Sequence, residues 1–167
     1  MLTLSWTRPV VGAGQDGCPA PTRESLWQAL LHKAEFPTGY VPAITECRIN
    51  ERYPDGFLRE IRRGPLTFLQ RVTPQESAGR ITYRHLDDTD IAEIRNEIGE
   101  DEEGRLTLTL SITLTDRPAA AILAQNTYLR ELDCDFHGTL NAMTEVLHRV
   151  MMRETATTTA PHDPNGS

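Results

Sequence analysis

Tyr83 and His85 have the residue types and the spacing to support proton transfer. They are two residues apart in segment 80–86, which reads as a strand, so with Ile81 they share one face. A histidine with an ordinary pKa of about 6.5 can act as a general acid or base, and a tyrosine hydroxyl can donate to a carbonyl. Alternatively, His85 only ends the strand, half solvated beside Asp87.

Asp133 is the third candidate catalytic residue, and it lies on a predicted helix four residues before His137. Asp133 falls about 40° from Leu129, on the flank of the apolar stripe of that helix. Its carboxylate then faces a pocket or pairs with an arginine of the sheet, Arg59 or Arg62. With His137 it forms either a base with its orienting partner or an ordinary surface pair.

Asn96 and Glu60 are candidate ligand-binding residues. Asn96 interrupts the apolar face formed by Ala92, Ile94 and Ile98, and a buried amide must bond a neighbouring side chain or a ligand. Glu60 alternates with Arg59 on a strand whose inward face the pattern leaves open, since Phe57 and Ile61 compete with Leu58 for burial. Whichever of the two points inward is expected to be the strongest charge in the pocket.

Several other sequence patterns do not predict a functional site. Residues 12–17 spell G-x-G-x-x-G, but residues 18–21 read Cys-Pro-Ala-Pro where a dinucleotide site needs a helix, so we predict a loop. The three cysteines lack metal-binding spacing, and Cys47 reads as a core residue rather than a nucleophile. We therefore expect neither a metal nor a cofactor.

Two adjacent elements dominate the fold prediction. Leu106 to Thr115 alternates between leucine or isoleucine and hydroxyl residues, which predicts a strand with one buried face. Residues 118–154 carry an apolar stripe with steps of three and four, which predicts a helix of about 50 Å. The two stripes bury each other best if a one-faced antiparallel sheet wraps around the helix, an arrangement that tends to leave a cavity.

The remaining pattern predicts a strand at residues 2–7, a helix from an N-cap at Thr22 to Glu35, and a short turn-like helix at 40–44. Five further short strands joined by tight turns precede the strand at 106–115. We expect one domain over residues 1–154. Residues 155–167, rich in Thr, Ala and Pro, are expected to be a disordered tail.

The balance of 17 basic against 24 acidic residues gives a net charge of −7, which argues against nucleic acid or an anionic membrane as a partner. No apolar run approaches the length of about 18 residues that a membrane span needs, and the first residues do not read as a signal peptide. The odd, widely spaced cysteines read as reduced thiols. Together these features predict a cytoplasmic protein.

The order of elements is that of the helix-grip fold, and several segments resemble the AtaL-like branch of the SRPBCC (Bet v 1/START-like) superfamily. These segments are Tyr-Val-Pro-Ala-Ile at 40–44, Asp-Gly-Phe-Leu-Arg-Glu-Ile at 55–61, Arg-Asn-Glu-Ile at 95–98, the Leu-Thr-Leu-Thr strand, and Phe-His-Gly-Thr at 136–139. The resemblance implies an α+β fold with a curved antiparallel sheet of about seven strands, two short helices and one long C-terminal helix.

The resemblance also implies a deep pocket for a hydrophobic molecule. We expect its walls to include the apolar residues Leu108, Leu110, Phe136 and Leu140. The function we expect is binding of a hydrophobic small molecule, an intermediate of secondary metabolism. The alternative is a cofactor-free cyclase, dehydratase or isomerase. Two or more titratable groups that converge in the cavity would favour the enzyme, and one isolated polar group would favour the binding protein.

Overall fold

The structure is a computed structural model of the full chain. It describes residues 1–10 and 21–116, together with residues 130, 133–134, 136–143, 145, 149 and 153. The elements described are, in chain order, β1 (Leu2–Pro9), α1 (Arg23–Glu35), a 3-10 turn (Pro37–Gly39), β2 (Ile44–Tyr53), β3 (Gly56–Arg63), β4 (Leu66–Gln75), a second 3-10 turn (Glu76–Ala78), β5 (Arg80–His85), β6 (Ile91–Glu100) and β7 (Leu106–Leu114).

The seven strands form one curved antiparallel sheet in the order β1-β7-β6-β5-β4-β3-β2. Strands β2 to β7 follow one another as a meander, and β1 pairs with β7 from Leu2 opposite Leu114 to Pro9 opposite Thr107. The predicted number and order of strands are therefore confirmed, and the first strand of the chain lies beside the last.

Strand β7 shows how alternation sorts side chains between the two faces of the sheet. Leu108, Leu110, Ile112 and Leu114 are buried on what we call the inner face. On the opposite, outer face the hydroxyl residues of β7 bond those of β1: the Oγ atoms of Ser111 and Ser5 are 2.8 Å apart, and flanking threonine pairs repeat the contact. The inner face faces the core and the outer face carries polar pairs.

Helix α1 begins as predicted after Thr22, whose hydroxyl accepts a hydrogen bond from the Ser25 amide at 3.1 Å. Its residues Leu26, Leu30 and Ala34 are fully buried in the core. The short second helix was predicted at 40–44, and that placement is wrong. The 3-10 turn occupies Pro37–Gly39, where the fixed φ of Pro37 suits a first helical position, and β2 already begins at Ile44.

The helical residues described after β7 cover the inner face of the sheet. Residues 136–143 are helical, with Phe136, Leu140 and Met143 buried, and the Phe136 ring stacks on Trp6 with centroids 4.3 Å apart. This matches the predicted stripe where the structure describes it. The long helix over 118–154 is not confirmed, because most of that range, like the loop at 11–20 and the tail at 155–167, lies outside the described residues.

In the part of the chain that the structure describes, no helix is both long and apolar enough to cross a membrane.

Candidate functional site

A cavity of about 110 Å³ lies between the inner face, the C-terminal end of α1 and the helical residues at 136–143. Most of its wall is apolar and includes Ile61, Ile94, Leu110, Ile112 and Phe136. Its polar wall residues include Lys33, Arg59, Gln70, Tyr83 and His85. Such a cavity, apolar with a few converging polar groups, is typical of a small-molecule site.

Arg59 and Arg63 are the charged residues of β3 that line the cavity, and Arg59 is the buried one of the two. Phe57, Arg59 and Ile61 are buried on the inner face, because turning them outward would expose two large apolar side chains in exchange for Leu58 alone. The guanidinium is held from two sides. Its Nη1 donates to the Ala34 carbonyl at 2.6 Å, and its Nε donates to Gln70 Oε1 at 2.9 Å.

No carboxylate pairs with Arg59 in the part of the chain that the structure describes, although its side chain is only 4% exposed. A buried cation without a counter-ion is destabilising, and the two hydrogen bonds offset only part of that penalty. Burial lowers the pKa of Arg59, but a guanidinium keeps its proton in proteins. The cavity wall therefore carries an uncompensated positive charge.

Gln70 links Arg59 to His85. Because the amide oxygen accepts from Arg59, the amide nitrogen faces His85 and donates to its Nε2 at 2.9 Å. The proton of the neutral imidazole then resides on Nδ1, which faces the Thr89 hydroxyl at 3.4 Å. This arrangement accepts a neutral ring but not a protonated one.

Burial is the main reason that the pKa of His85 is lowered to about 4. The negative charge of Asp87 is the next largest effect and opposes it, and the positive charges of Arg59 and Arg63 lower the pKa further. His85 is thus neutral at physiological pH. Arg59, Gln70 and His85 form a chain of hydrogen bonds that runs across the sheet from β3 through β4 to β5.

The Tyr83 ring contacts two cationic side chains of the cavity wall. Its ring centroid is 4.6 Å from Cζ of Arg59 and 5.5 Å from Nζ of Lys33, so two cations contact one aromatic ring. Burial raises the pKa of its hydroxyl to about 12 despite the opposing influence of Arg59. That hydroxyl is buried and finds no hydrogen-bond partner among the described residues.

Lys33 enters the cavity from the last turn of α1. Its Nζ donates to Asn96 Oδ1 at 2.6 Å, and the side chain is only 6% exposed. Burial, assisted by the nearby charge of Arg59, lowers its pKa from 10.5 to about 7. An amine that is close to half neutral at pH 7 is unusual for lysine, and such groups concentrate at functional sites.

The predicted site residues divide into four groups. Tyr83, His85, Leu110 and Phe136 line the cavity. Asn96 is fully buried behind Lys33 and bonds that side chain, the first of its two predicted alternatives. Leu108 and Leu140 belong to the buried core, and neither contributes to the cavity wall.

Glu60 and Asp133 are placed away from the cavity. Glu60 lies on the outer face of β3, where its Oε1 is 3.5 Å from Nη2 of Arg48, so Arg59 is the charge that points inward. Asp133 is about half exposed and its carboxylate is 3.5 Å from His137 Nδ1. His137 in turn contacts Arg8, so this is the surface pair rather than a base in the pocket.

Lys33 and Gln70 are the residues that sequence reasoning missed. The signal for Lys33 was present: it occupies the buried stripe of α1 with Leu26, Leu30 and Ala34, and it is the single lysine among the 17 basic residues. Gln70 carried no such signal, because its importance arises from pairing across strands. Within the described ranges, no group of three His, Cys, Asp or Glu side chains is arranged to hold a metal ion.

Comparison with known structures shows the same fold in proteins of low sequence identity. The Zhui aromatase/cyclase from Streptomyces sp. R1128 matches with a TM-score of 0.62 at 14% identity, over 89% of this chain and 94% of that one. A protein from Thermobifida fusca gives 0.62 at 20% identity, over 89% and 95%. Ara h 8.0201 gives 0.57 at 13% identity, over 87% and 97%.

At the level of sequence, no curated protein matches the chain significantly. Residues 5–131, most of the chain, match the profile of the AtaL family, which is described as Acetylaranotin biosynthesis cluster protein L. The fold and this match agree, and the chain belongs to the AtaL family.

Proposed function

We propose that the protein binds a hydrophobic small molecule, an intermediate of a secondary-metabolite pathway, in the cavity beneath the inner face. The family description supports a biosynthetic setting, and two solved structures of the same fold are di-domain ARO/CYC proteins from biosynthetic pathways. The apolar wall accounts for a hydrophobic ligand, since burying such a molecule removes both apolar surfaces from water.

The observation that carries the proposal is the buried guanidinium of Arg59. Nη2 has no hydrogen-bond partner within the described part of the chain, whereas Nε and Nη1 are held by Gln70 and Ala34. The fixed side chain thus presents a charged donor to the cavity. A carboxylate, enolate or carbonyl oxygen of the ligand would satisfy this donor and offset the buried charge.

Ligand binding by Arg59→Met tests this proposal. Native mass spectrometry of the protein purified from its own host should show a co-purifying hydrophobic molecule. A charge-assisted hydrogen bond contributes about 1.5–3 kcal/mol, so affinity for that molecule should fall roughly 10- to 100-fold in Arg59→Met. The matched control is Arg62→Met, on the outer face of the same strand, where Arg62 pairs with Glu46.

The control should bind the ligand as the wild type does. Equal affinity of the wild type, Arg59→Met and Arg62→Met would show that Arg59 does not contribute to binding. If the protein never co-purifies with a small molecule, that result would argue against a carrier.

A cofactor-free cyclase is the second candidate, and the Arg59–Gln70–His85 chain favours it. More than one titratable group converges in the cavity, and a guanidinium and a neutral imidazole are joined through one amide. In this proposal Arg59 stabilises the enolate oxygen of the bound intermediate. His85 accepts a proton once the ligand displaces the Gln70 amide from Nε2.

The substitution His85→Gln separates the two candidates. A cyclase should lose turnover of the co-purified intermediate by about 10²-fold or more while ligand affinity changes little. If the protein is only a carrier, the wild type and His85→Gln should both release the intermediate chemically unchanged.

A further inference from the structure

Lys33 is the only lysine in the sequence, and the fold places it in the cavity wall. Lysine is among the residues least often buried, because its ammonium group must leave water. Lys33 lies on the same buried stripe of α1 as Leu26, Leu30 and Ala34, so the packing that buries those side chains also buries Lys33. The chain therefore has one side-chain amine, and it lines the cavity.

The surroundings of Lys33 favour the neutral amine. The groups that face it are Asn96, whose Oδ1 accepts from Nζ at 2.6 Å, the Tyr83 ring and the guanidinium of Arg59. Among the residues described, no carboxylate faces it. A neutral amine that donates one N–H to Asn96 keeps its lone pair free for another partner.

We propose that Lys33 forms a reversible imine with an aldehyde or ketone group of the bound small molecule. Nζ attacks the carbonyl carbon and a C–N bond forms, while the carbonyl π electrons move to the oxygen. That oxygen becomes a hydroxyl after proton transfer from nitrogen. Loss of that hydroxyl as water, with one proton from solvent, gives the iminium, which returns the proton when it becomes the neutral imine. The net change is amine plus carbonyl to imine plus water, so no oxidant or reductant is required.

The lowered pKa of about 7 supports this chemistry without carrying it. An ordinary lysine, with a pKa of about 10.4, is neutral in only about one molecule in 2,500 at pH 7. Lys33 is neutral in roughly half of the molecules, because burial and a neighbouring cation are the two effects that activate such amines. An iminium would also acidify the adjacent C–H bonds of the ligand.

The inference rests on the proposed function only in requiring that the cavity admit a hydrophobic molecule. It adds that the molecule is held covalently through a carbonyl carbon. Arg59 remains available to a second oxygen of the same molecule.

Reductive trapping tests the imine directly. The full-length protein is incubated at pH 7 with 2-naphthaldehyde and sodium cyanoborohydride, and peptide mass spectrometry locates the adducts. In the wild-type chain only Lys33 and the exposed amino group of Met1 can react, and that terminus serves as the internal reference. We expect the ratio of Lys33 to Met1 adduct to be at least tenfold higher in the folded protein than in protein unfolded in guanidinium chloride. Lys33→Met should show the Met1 adduct alone.

A lower ratio in the folded protein, or an adduct on Met1 alone, overturns the inference. Benzaldehyde in a parallel reaction removes probe size as the reason for a negative result. Fluorescence titration with 2-methylnaphthalene, which lacks the carbonyl, tests the proposed function separately. If 2-methylnaphthalene binds and neither aldehyde is trapped on Lys33, the imine fails and the binding function stands. If an aldehyde is trapped on Lys33 but the hydrocarbon does not bind, the imine stands, and the proposed function fails only in its non-covalent form, because apolar contact alone then does not hold a ligand.

Discussion

Replacing Lys33 by Met should make the protein more stable, and the gain should depend on pH. In the folded protein the pKa of Lys33 is lowered from 10.5 to about 7. Below pH 7 the folded protein holds a buried ammonium, which the unfolded chain holds more favourably in water. Each pKa unit corresponds to about 1.4 kcal/mol, so at pH 6.5 this difference destabilises the folded state by about 4–5 kcal/mol.

The sign of the pH dependence follows from the same two pKa values. Between about pH 7 and 10.5 the unfolded chain binds a proton that the folded protein does not, so stability rises with pH. From pH 6.5 to 8.5 the destabilisation caused by Lys33 should shrink by about 2 kcal/mol. Methionine has similar length and no charge. Its introduction sacrifices the hydrogen bond to Asn96, which costs about 1–3 kcal/mol.

Urea unfolding followed by tryptophan fluorescence at pH 6.5 and pH 8.5 measures the effect. We expect Lys33→Met to exceed the wild type by about 2–3 kcal/mol at pH 6.5 and to lose about 2 kcal/mol of that advantage at pH 8.5. The exposed control, Arg62→Met, should change stability by less than about 0.5 kcal/mol at either pH. A Lys33→Met protein that is less stable than the wild type, or a pH-independent difference, would refute the reasoning.

Three further predictions concern stability. The pKa of His85 is lowered to about 4 in the folded protein, so stability should fall by about 2 kcal/mol as pH drops from 6.5 to 4; unfolding titrations should show that contribution abolished by His85→Gln and kept by the surface control His137→Gln. Gly56→Ala places a Cβ atom 2.0 Å from the Val72 carbonyl oxygen and should lower the unfolding free energy by more than 2 kcal/mol, whereas Gly64→Ala, with a positive φ but open space, should cost about 1 kcal/mol. Leu140→Asp buries a charge in the core and should abolish the folded circular dichroism spectrum; a folded variant would contradict the packing of residues 136–143 on the sheet.

Local pattern was enough to predict the strands and most of their connections. Alternation in β7 identified its buried face correctly, and the turn residues at 54–56 and 64–65 separated β2, β3 and β4 where the structure separates them. Thr22 was identifiable as an N-cap because its role depends on the next three residues alone. These features are properties of neighbouring residues, so the sequence by itself determined them.

Only part of the candidate site could be predicted, because local pattern describes neighbouring residues and not contacts between distant elements. Tyr83 and His85 share a strand, and alternation brought them to one face correctly. Asp133 looked equally suitable on a helical projection, but the projection cannot say how far the flank of a helix is covered by the sheet. The structure leaves Asp133 about half exposed beside His137.

What only the tertiary structure decided is where the charges lie. Arg59 and Glu60 are adjacent on β3, and the inward one was settled by burial of Phe57 and Ile61 together with acceptors supplied by Gln70 and the Ala34 carbonyl. Lys33 finds its acceptor in Asn96, 63 residues away in the sequence. The sequence by itself determined which residues alternate and which are apolar. The cationic wall of the cavity depends on partners that are distant in sequence, and only the packing of α1 against the sheet brings those partners together.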